Sequence, residues 1–530
     1  MSQEISLLNT VIGPVMRGPS SSHSAAPYMI GRTARELALS AGDVLNAAEI
    51  VFDPAGSFSQ VYASQGSDEG FAAGLMELDL MSERYRHVLD RHEQQGDFQF
   101  TIKIASLQRN IHPNRVDLHL VITSANGEQR ADRFEAVSLG GGVFNITSLN
   151  GLPILIDGKC STLLVEHHGV DHDVIRRVLV DFGTNILDAR CGHRLNQYDV
   201  ASPVPDRAIT NILAQPLVSR TRAANARQYV APNGQVLYTS VEQVFQDLTQ
   251  ESDLASLARR YEAQRLQISV EQVQSYFRVR LRAMFDSVAQ GFAAETEHQR
   301  MNFLQPSARI FRDTLLPASM NSSFLKNAIA ASLAVMEQTS TRGVVCAAPT
   351  AGSAGIVPGS LYALSQAGAG DEQLVAALQV MALIGAVFAA RASYAAETGG
   401  CSVETGTSSA MAAAGLVFYY GGNAQQVFDA AALCLMNTLG LVCDPVGGEI
   451  EIPCHARNIA GVSHAWSAAM AVLGGFQAVL PFDELADMTV EIGKQMDADL
   501  RCTARGGCAK TPTATQIVRM SRKKQTSARR

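Results

Sequence analysis

Residues 440–458 read GLVCDPVGGEIEIPCHARN, and they set Cys443 and Cys454 in Gly- and Pro-bearing turns between long Ala-rich segments. A third cysteine, Cys401, stands upstream in AAETGGCSVETG, residues 395–406, directly after Gly399 and Gly400. Around these loops lie NAIAASLAVMEQ, LVAALQVMALIGAVFAAR, SSAMAAAGLVFYYGG, VFDAAALCLMNTLG, IAGVSHAWSAAMAVLGG and ELADMTVEIGKQM. All favour helix, and Ala permits close helix packing. Residues 301–515 are therefore expected to form an all-α catalytic domain whose loops carry the site. Three thiolates with no obvious fourth suit a site-differentiated iron–sulfur cluster, in which one iron stays open as a Lewis acid. Spacing alone leaves two alternatives open. The cysteines are three unrelated buried thiols, since no CxxC is present, or they hold zinc, which more often draws on CxxC pairs or nearby histidines.

The bulk properties narrow the class. A chain of 530 residues needs several cores. Its 47% hydrophobic and 18% charged residues fit a globular protein with large buried surfaces. A net charge of −7 argues against a nucleic-acid partner. The basic end SRKKQTSARR, in residues 516–530, reads as a solubilising tail. No secretory signal is expected at the N-terminus. The longest apolar run contains Gln379 and falls short of the ~20 residues that span a bilayer, so no membrane partner is expected. Nine cysteines without a small disulfide scaffold suit a reducing cytoplasm.

Residues 1–155 mix helix and strand signals, with SAAPYMIGRTARELALSAG as helix, AEIVFDPAG and FQFTIKIASLQ as strands, and an Asn-Gly hairpin turn at Asn126. This part is expected to be an α/β domain. Residues 156–205 carry a strand–helix–strand pattern that resembles half of an ACT domain, a small α+β amino-acid-binding or dimerising unit. A polar helical connector is expected over residues 206–300.

Two further stretches have chemical potential. In RGPSSSHSAAP, residues 17–27, Ser20, Ser21 and Ser22 offer hydroxyl and N–H donors that suit a carboxylate, and His23 titrates near neutrality. The plainer reading is an N-capping turn. In VCAAPTAGSAGIVPGSL, residues 345–361, Thr350, Gly352 and Ser353 form a polar loop opening a helix, which is not a P-loop because the Gly-Lys-[Ser/Thr] end is missing. The plainer reading is a helix connector. No lysine lies between Lys326 and Lys494, so this segment lacks the Schiff-base residue that pyridoxal phosphate needs, and that cofactor is not expected.

Several motifs together resemble the iron–sulfur-dependent L-serine dehydratases: GPSSSH, GSFSQVYASQGSD, HPNRV, SLGGG, APTAGSAGIVPG, GGCSVETG, GLVCDPVGGEIEIPCHARN and RGGCAKTPTA, in order over nearly the whole chain. The order is that of single-chain members, with a β-type part before an α-type part. The resemblance implies a [4Fe–4S] cluster on Cys401, Cys443 and Cys454, and conversion of L-serine to pyruvate and ammonia. It implies catalytic roles for Ser21, Ser22, His23, Asp68 and Arg457, and substrate contacts from Ser20, Thr350, Gly352, Ser353 and Asn458. Two departures stand out. The family's Gly-His-Gly-Thr-Asp has Gln65 at the His position, and glutamine exchanges no proton near neutral pH. The family's Arg-Glu-Thr is here Arg501, Cys502, Thr503, with Cys508 close by, and either thiol is a candidate cap for the open iron. These changes leave open another β-substituted amino acid as substrate, such as threonine, cysteine or a larger β-hydroxy amino acid, or a non-catalytic amino-acid-binding homologue. A homodimer is expected, because ACT-like modules and Ala-rich bundles often pair.

Overall fold

The strict alternation in RVDLHLVIT is the seed of the N-terminal sheet. Val116, Leu118, Leu120 and Ile122 are fully buried while their neighbours face outward. The computed structural model describes residues 5–90, 98–107, 112–227, 238–293, 301–320 and 322–528, with side chains to residue 521. The basic end beyond residue 521 lies outside the described side chains.

Six strands form the first sheet, in the order Gln99–Ile104, Val44–Phe52, Arg115–Thr123, Gln129–Gly140, Val143–Leu149 and Leu152–Ile156. Only the first pair is parallel. The expected Asn-Gly turn joins the third and fourth strands, with Gly127 at φ +85°. Helices Ala26–Ala38 and Ser67–Leu75 pack on each other, and their apolar faces share a core with the sheet through Ile30, Leu37, Phe71, Phe52 and Phe134. The two helices nearly touch. A Cβ on Gly74 would lie 2.3 Å from the Tyr28 carbonyl oxygen. Gly74→Ala gains helix propensity but forces the helices apart, so it is expected to lower stability by roughly 1–3 kcal/mol, read as a lower melting temperature.

The second sheet has four strands, in the order Val218–Ala224, Ser161–His167, Leu195–Val200 and Ile186–Cys191, all antiparallel. With helices His172–Asp181 and Asp206–Leu213 the chain order is βαββαβ, the split βαβ pattern. This module runs past the expected limit at 205. Part of the expected helical connector is the strand VSRTRAA, whose alternating arginines hid an edge strand from a hydrophobic reading. Arg222 of that strand locks the two sheets together. It is 5% exposed and forks onto Asp132 at 2.7 and 3.0 Å, while also bonding Glu166 and the Leu37 carbonyl.

The C-terminal part is helical, as expected, and all six Ala-rich segments are helices. Asp371–Ala389 runs through the centre of the largest core. It is long and apolar enough to cross a membrane but is mostly buried inside the protein. Thr405–Tyr419 packs against it, against Ala424–Thr438 and against Cys454–Leu473. The N-terminal segment enters this half. Leu7, Leu8 and Val11 join the helical core, buried Glu262 accepts from the backbone N–H of Leu7 and Leu8, and strand Val15–Arg17 pairs antiparallel with Val344–Cys346.

Candidate active site

Three loops meet where helices end. The first is Gly400–Ser402, between the short helix Ala396–Gly399 and Thr405–Tyr419. Gly400 has φ +66°, and a Cβ there would lie 2.6 Å from the Leu441 carbonyl oxygen, so only glycine lets this loop abut the next. The second loop carries Leu441 and Cys443. Ser402 stitches the two, donating to the Thr438 carbonyl at 2.8 Å and accepting from the Leu441 N–H at 2.9 Å. The third is the segment around Arg501. The Cys443 N–H donates to the Leu500 carbonyl and the Cys502 N–H to the Cys443 carbonyl, both at 2.8 Å.

This stitching gathers thiols. Cys401, Cys443 and Cys502 pack in one buried group with Ala396, each 4–5% exposed. The Cys401 Sγ, the Cys443 Sγ and a carboxylate oxygen of Glu404 all lie within 4.8 Å of one another. Cys454 opens the helix Cys454–Leu473 and packs on Met336 and Ile450, outside that tight group, yet it is close enough for its thiol to feel the charge of Cys401. Cys502 has φ +59°, an uncommon conformation for a residue with a Cβ. Gln65 Nε2 donates to its sulfur at 3.6 Å, so the two departures noted in the sequence are contact partners. Cys508 lies outside that group, and its N–H donates to Asp444, the carboxylate that also holds Arg457.

Arg457 governs the charge. Its guanidinium lies 3.1 Å from the Cys401 Sγ and 2.5 Å from Asp444 Oδ1. A hydrogen bond from Cys443, together with Arg457, pulls the Cys401 thiol down to about 7 against the opposing effect of burial. Cys443 keeps its proton to make that bond to Cys401 and another to Cys502, so with burial its thiol is held well above the usual range, and burial does the same for Cys454. Burial, then the Cys401 charge, holds the Glu404 carboxyl well above the usual carboxylate range. A soft, buried donor set with one fixed cation beside it fits an anionic iron–sulfur group better than a hard cation.

The serine turn lies against this group. His23 is fully buried, with Nδ1 at 2.8 Å from Ser22 Oγ and 3.3 Å from Glu397 Oε1, and Nε2 at 3.1 Å from Ser57 Oγ. Ser57 in turn donates to the Cys502 carbonyl at 3.3 Å. Burial lowers the His23 pKa, with Glu397 opposing, so the ring is neutral at pH 7. Ser20 caps the turn by accepting from the His23 N–H, and Ser21 Oγ accepts from the Ala351 N–H at 3.4 Å. Thr350 and Ser353 bond each other, and Asn458 spans the Gly352 carbonyl and the Gly355 N–H. Gly355 and Gly359 serve packing, since a Cβ on either would lie 2.6–2.7 Å from a carbonyl of the helix Ser323–Ser340.

Among the sequence-derived residues, Asp68 stands apart. It sits in the first turn of helix Ser67–Leu75, next to Glu69 and near Arg342, and burial, then the Glu69 charge, raises its carboxyl to about 7. No contact to the thiol group is found for it among the described residues. The sequence reading missed Glu397 and Glu404, although both flank Cys401 within the quoted loop. It also missed Ser57, which lies inside the GSFSQVYASQGSD motif.

The α/β half meets the helical half at the buried thiols, where Gln65 touches Cys502, and comparison supplies the class. Residues 244–509 match the family model described as serine dehydratase alpha chain. A probable L-serine dehydratase alpha chain of Bacillus subtilis is 41% identical over 200 residues, covering 38% of this chain and 67% of that protein. The L-serine dehydratase alpha chain of Peptoniphilus asaccharolyticus is 39% identical over 202 residues, covering 38% and 69%. L-serine dehydratase 2 of Escherichia coli is 37% identical over 180 residues, covering 33% and 40%. The chain belongs to the serine dehydratase alpha-chain family.

Proposed function

We propose that this chain is an L-serine ammonia-lyase, which eliminates water from L-serine and releases pyruvate and ammonia. The observation that carries the reading is the buried thiol group beside Arg457, in a chain of this family. Cys401, Cys443 and Cys454 would hold a [4Fe–4S] cluster, and Cys502 is a fourth thiol within reach of it. Such a cluster, when bound, supplies a Lewis-acidic iron that helps the β-hydroxyl depart. Arg457 fixes the Cys401 sulfur and balances its charge. His23, neutral and held between Ser22, Glu397 and Ser57, is placed to accept the α-proton. Loss of water then leaves aminoacrylate, which becomes the imine and hydrolyses. Thr350, Gly352, Ser353 and Asn458 mostly satisfy one another, so in this reading they shape the wall of the site. Residues 1–155 act as the β-type part, and the βαββαβ module is ACT-like and supports a homodimer in the cytoplasm.

The contact between Gln65 and Cys502 favours a second reading, elimination from another β-substituted amino acid. One experiment separates the two. The chain is reconstituted anaerobically with iron and sulfide and assayed for pyruvate and ammonia from L-serine, and for the corresponding oxo acid from L-threonine and L-cysteine. Equal yields of pyruvate and ammonia from L-serine are expected. An iron-loaded chain that is inert toward L-serine and active on another substrate overturns the first reading in favour of the second.

A further inference from the structure

A cavity of about 220 Å³ opens beside the thiol group, between the Asp53–Ser57 turn and His112 on one side and the Arg501 segment on the other. That is below the ~300–1,000 Å³ of pockets for drug-sized ligands, so its occupant is small. Most of its polar lining is already committed. Asp53 accepts from the N–H groups of Ala55 and Leu107. Ser57 is spent on His23 and Cys502, Thr503 bonds the Asp499 carbonyl, and Arg505 pairs with Asp499.

Two groups of opposite charge are left over. Glu397 is 3% exposed; its Oε1 meets Ser22 and His23, while its buried Oε2 has no partner among the described residues. No hydrogen bond or ion pair reaches the Arg501 side chain among the described residues, and its buried Nε is unpartnered. Arg501 also stands in bridge register with Cys443, which fixes its backbone next to the thiols. Glu397 is a buried carboxylate with one open oxygen, and Arg501 is half-buried with its Nε shielded from water. A buried polar atom left without a partner is costly, and a bound ligand can supply that partner.

We propose that Glu397 and Arg501 form a receptor for an α-amino-acid zwitterion, with Glu397 taking the α-ammonium and Arg501 the α-carboxylate. This rests on the amino-acid reading above and extends it to named binding groups. A guanidinium suits a carboxylate in geometry and charge, and its fork fixes orientation. A zwitterion held between the two charges is oriented about its α-carbon. Glu397 also touches His23, so the ammonium and the proton acceptor lie on the same side of the ligand. Recognition then requires both charges of the ligand, and a molecule carrying one of them is held by one end only.

The test uses the full cluster-loaded chain and unreactive probes, read by ligand-observed NMR, which detects millimolar binders. L-alanine carries both charges, propionate lacks the ammonium, and ethylamine lacks the carboxylate. Wild type is expected to bind L-alanine more tightly than either fragment. Arg501→Gln is expected to weaken L-alanine about 10- to 150-fold and leave ethylamine unchanged; Glu397→Gln is expected to weaken L-alanine similarly and leave propionate unchanged. The proposal is overturned if both variants bind L-alanine as wild type does, if either variant loses all three probes, or if wild type shows no preference for L-alanine. Because none of the probes turns over, this pattern together with no pyruvate from L-serine would count against the lyase reading and leave the receptor standing. Unchanged binding in a chain that makes pyruvate would do the reverse.

Discussion

Replacing Cys443 with serine is expected to abolish both iron retention and pyruvate formation while leaving the fold intact. Cys443 lies in the centre of the thiol group, in contact with Cys401 and Cys502. A serine hydroxyl ionises far less readily than a thiol and is a poor match for iron–sulfur chemistry, so the variant lacks one of the proposed ligands. Changing a residue that merely supports a metal ligand costs 10–100-fold, so loss of a ligand is expected to exceed about 100-fold. The fold survives because the bonds that place this loop are main-chain bonds, from the Cys443 N–H to Leu500 and from the Cys502 N–H to Cys443. Iron per chain, visible absorbance and turnover are measured together. Cys434→Ser is the control, since Cys434 is fully buried in the helical core and lies outside the thiol group. A Cys443→Ser chain that keeps its full iron content would remove Cys443 from the ligand set.

The second large effect concerns stability. Asp132→Ala strips the partner from a guanidinium that is 5% exposed, leaving Arg222 with Glu166 and a carbonyl. Breaking a buried pair by removing one side costs about 3–5 kcal/mol, because the remaining charge stays buried. The loss is expected to appear as a lower urea midpoint and early exposure of the βαββαβ module to protease. The pair also gives a pH dependence. Burial works to raise the Asp132 pKa, but the bonds and charge of Arg222 win and depress it. Its contribution is therefore fully present above the ordinary Asp value near ~3.9 and is lost as pH falls through the depressed native value. Wild type should lose stability in that acid window more steeply than Asp132→Asn. Parallel acid profiles for the two would show that the pair adds nothing.

Much of this was legible in the sequence because its signals are local. Alternation marked the strand Arg115–Thr123, Asn-Gly marked its hairpin, and Ala-rich stretches marked the helices. The loop cysteines were visible because Gly and Pro punctuate the turns around them. What escaped depends on pairing over distance. VSRTRAA has no apolar alternation and becomes a strand only by adding to the edge of Ser161–His167. Arg501 gains its place from a bridge to Cys443, and Glu397 from a histidine far away in the chain. Asp68 was drawn in by its place in a motif, but its helix turns it toward Glu69 and Arg342. Cys502 was noticed as a departure, yet only the fold shows that Gln65 is its neighbour.

The short ribbon between Val15–Arg17 and Val344–Cys346 bears on how the molecule is made. A ribosome delivers the first of these strands hundreds of residues before the second, and domains generally fold as they emerge. The N-terminal sheet has its own core and need not wait, but its leading segment does: Leu7, Leu8 and Val11 find their burial only in a bundle not yet synthesised. Until then that apolar stretch stays unburied, open to chaperones and to mispairing with a neighbouring chain. Closing such a distant pairing is slow, so the docking of residues 7–17 is expected late in assembly.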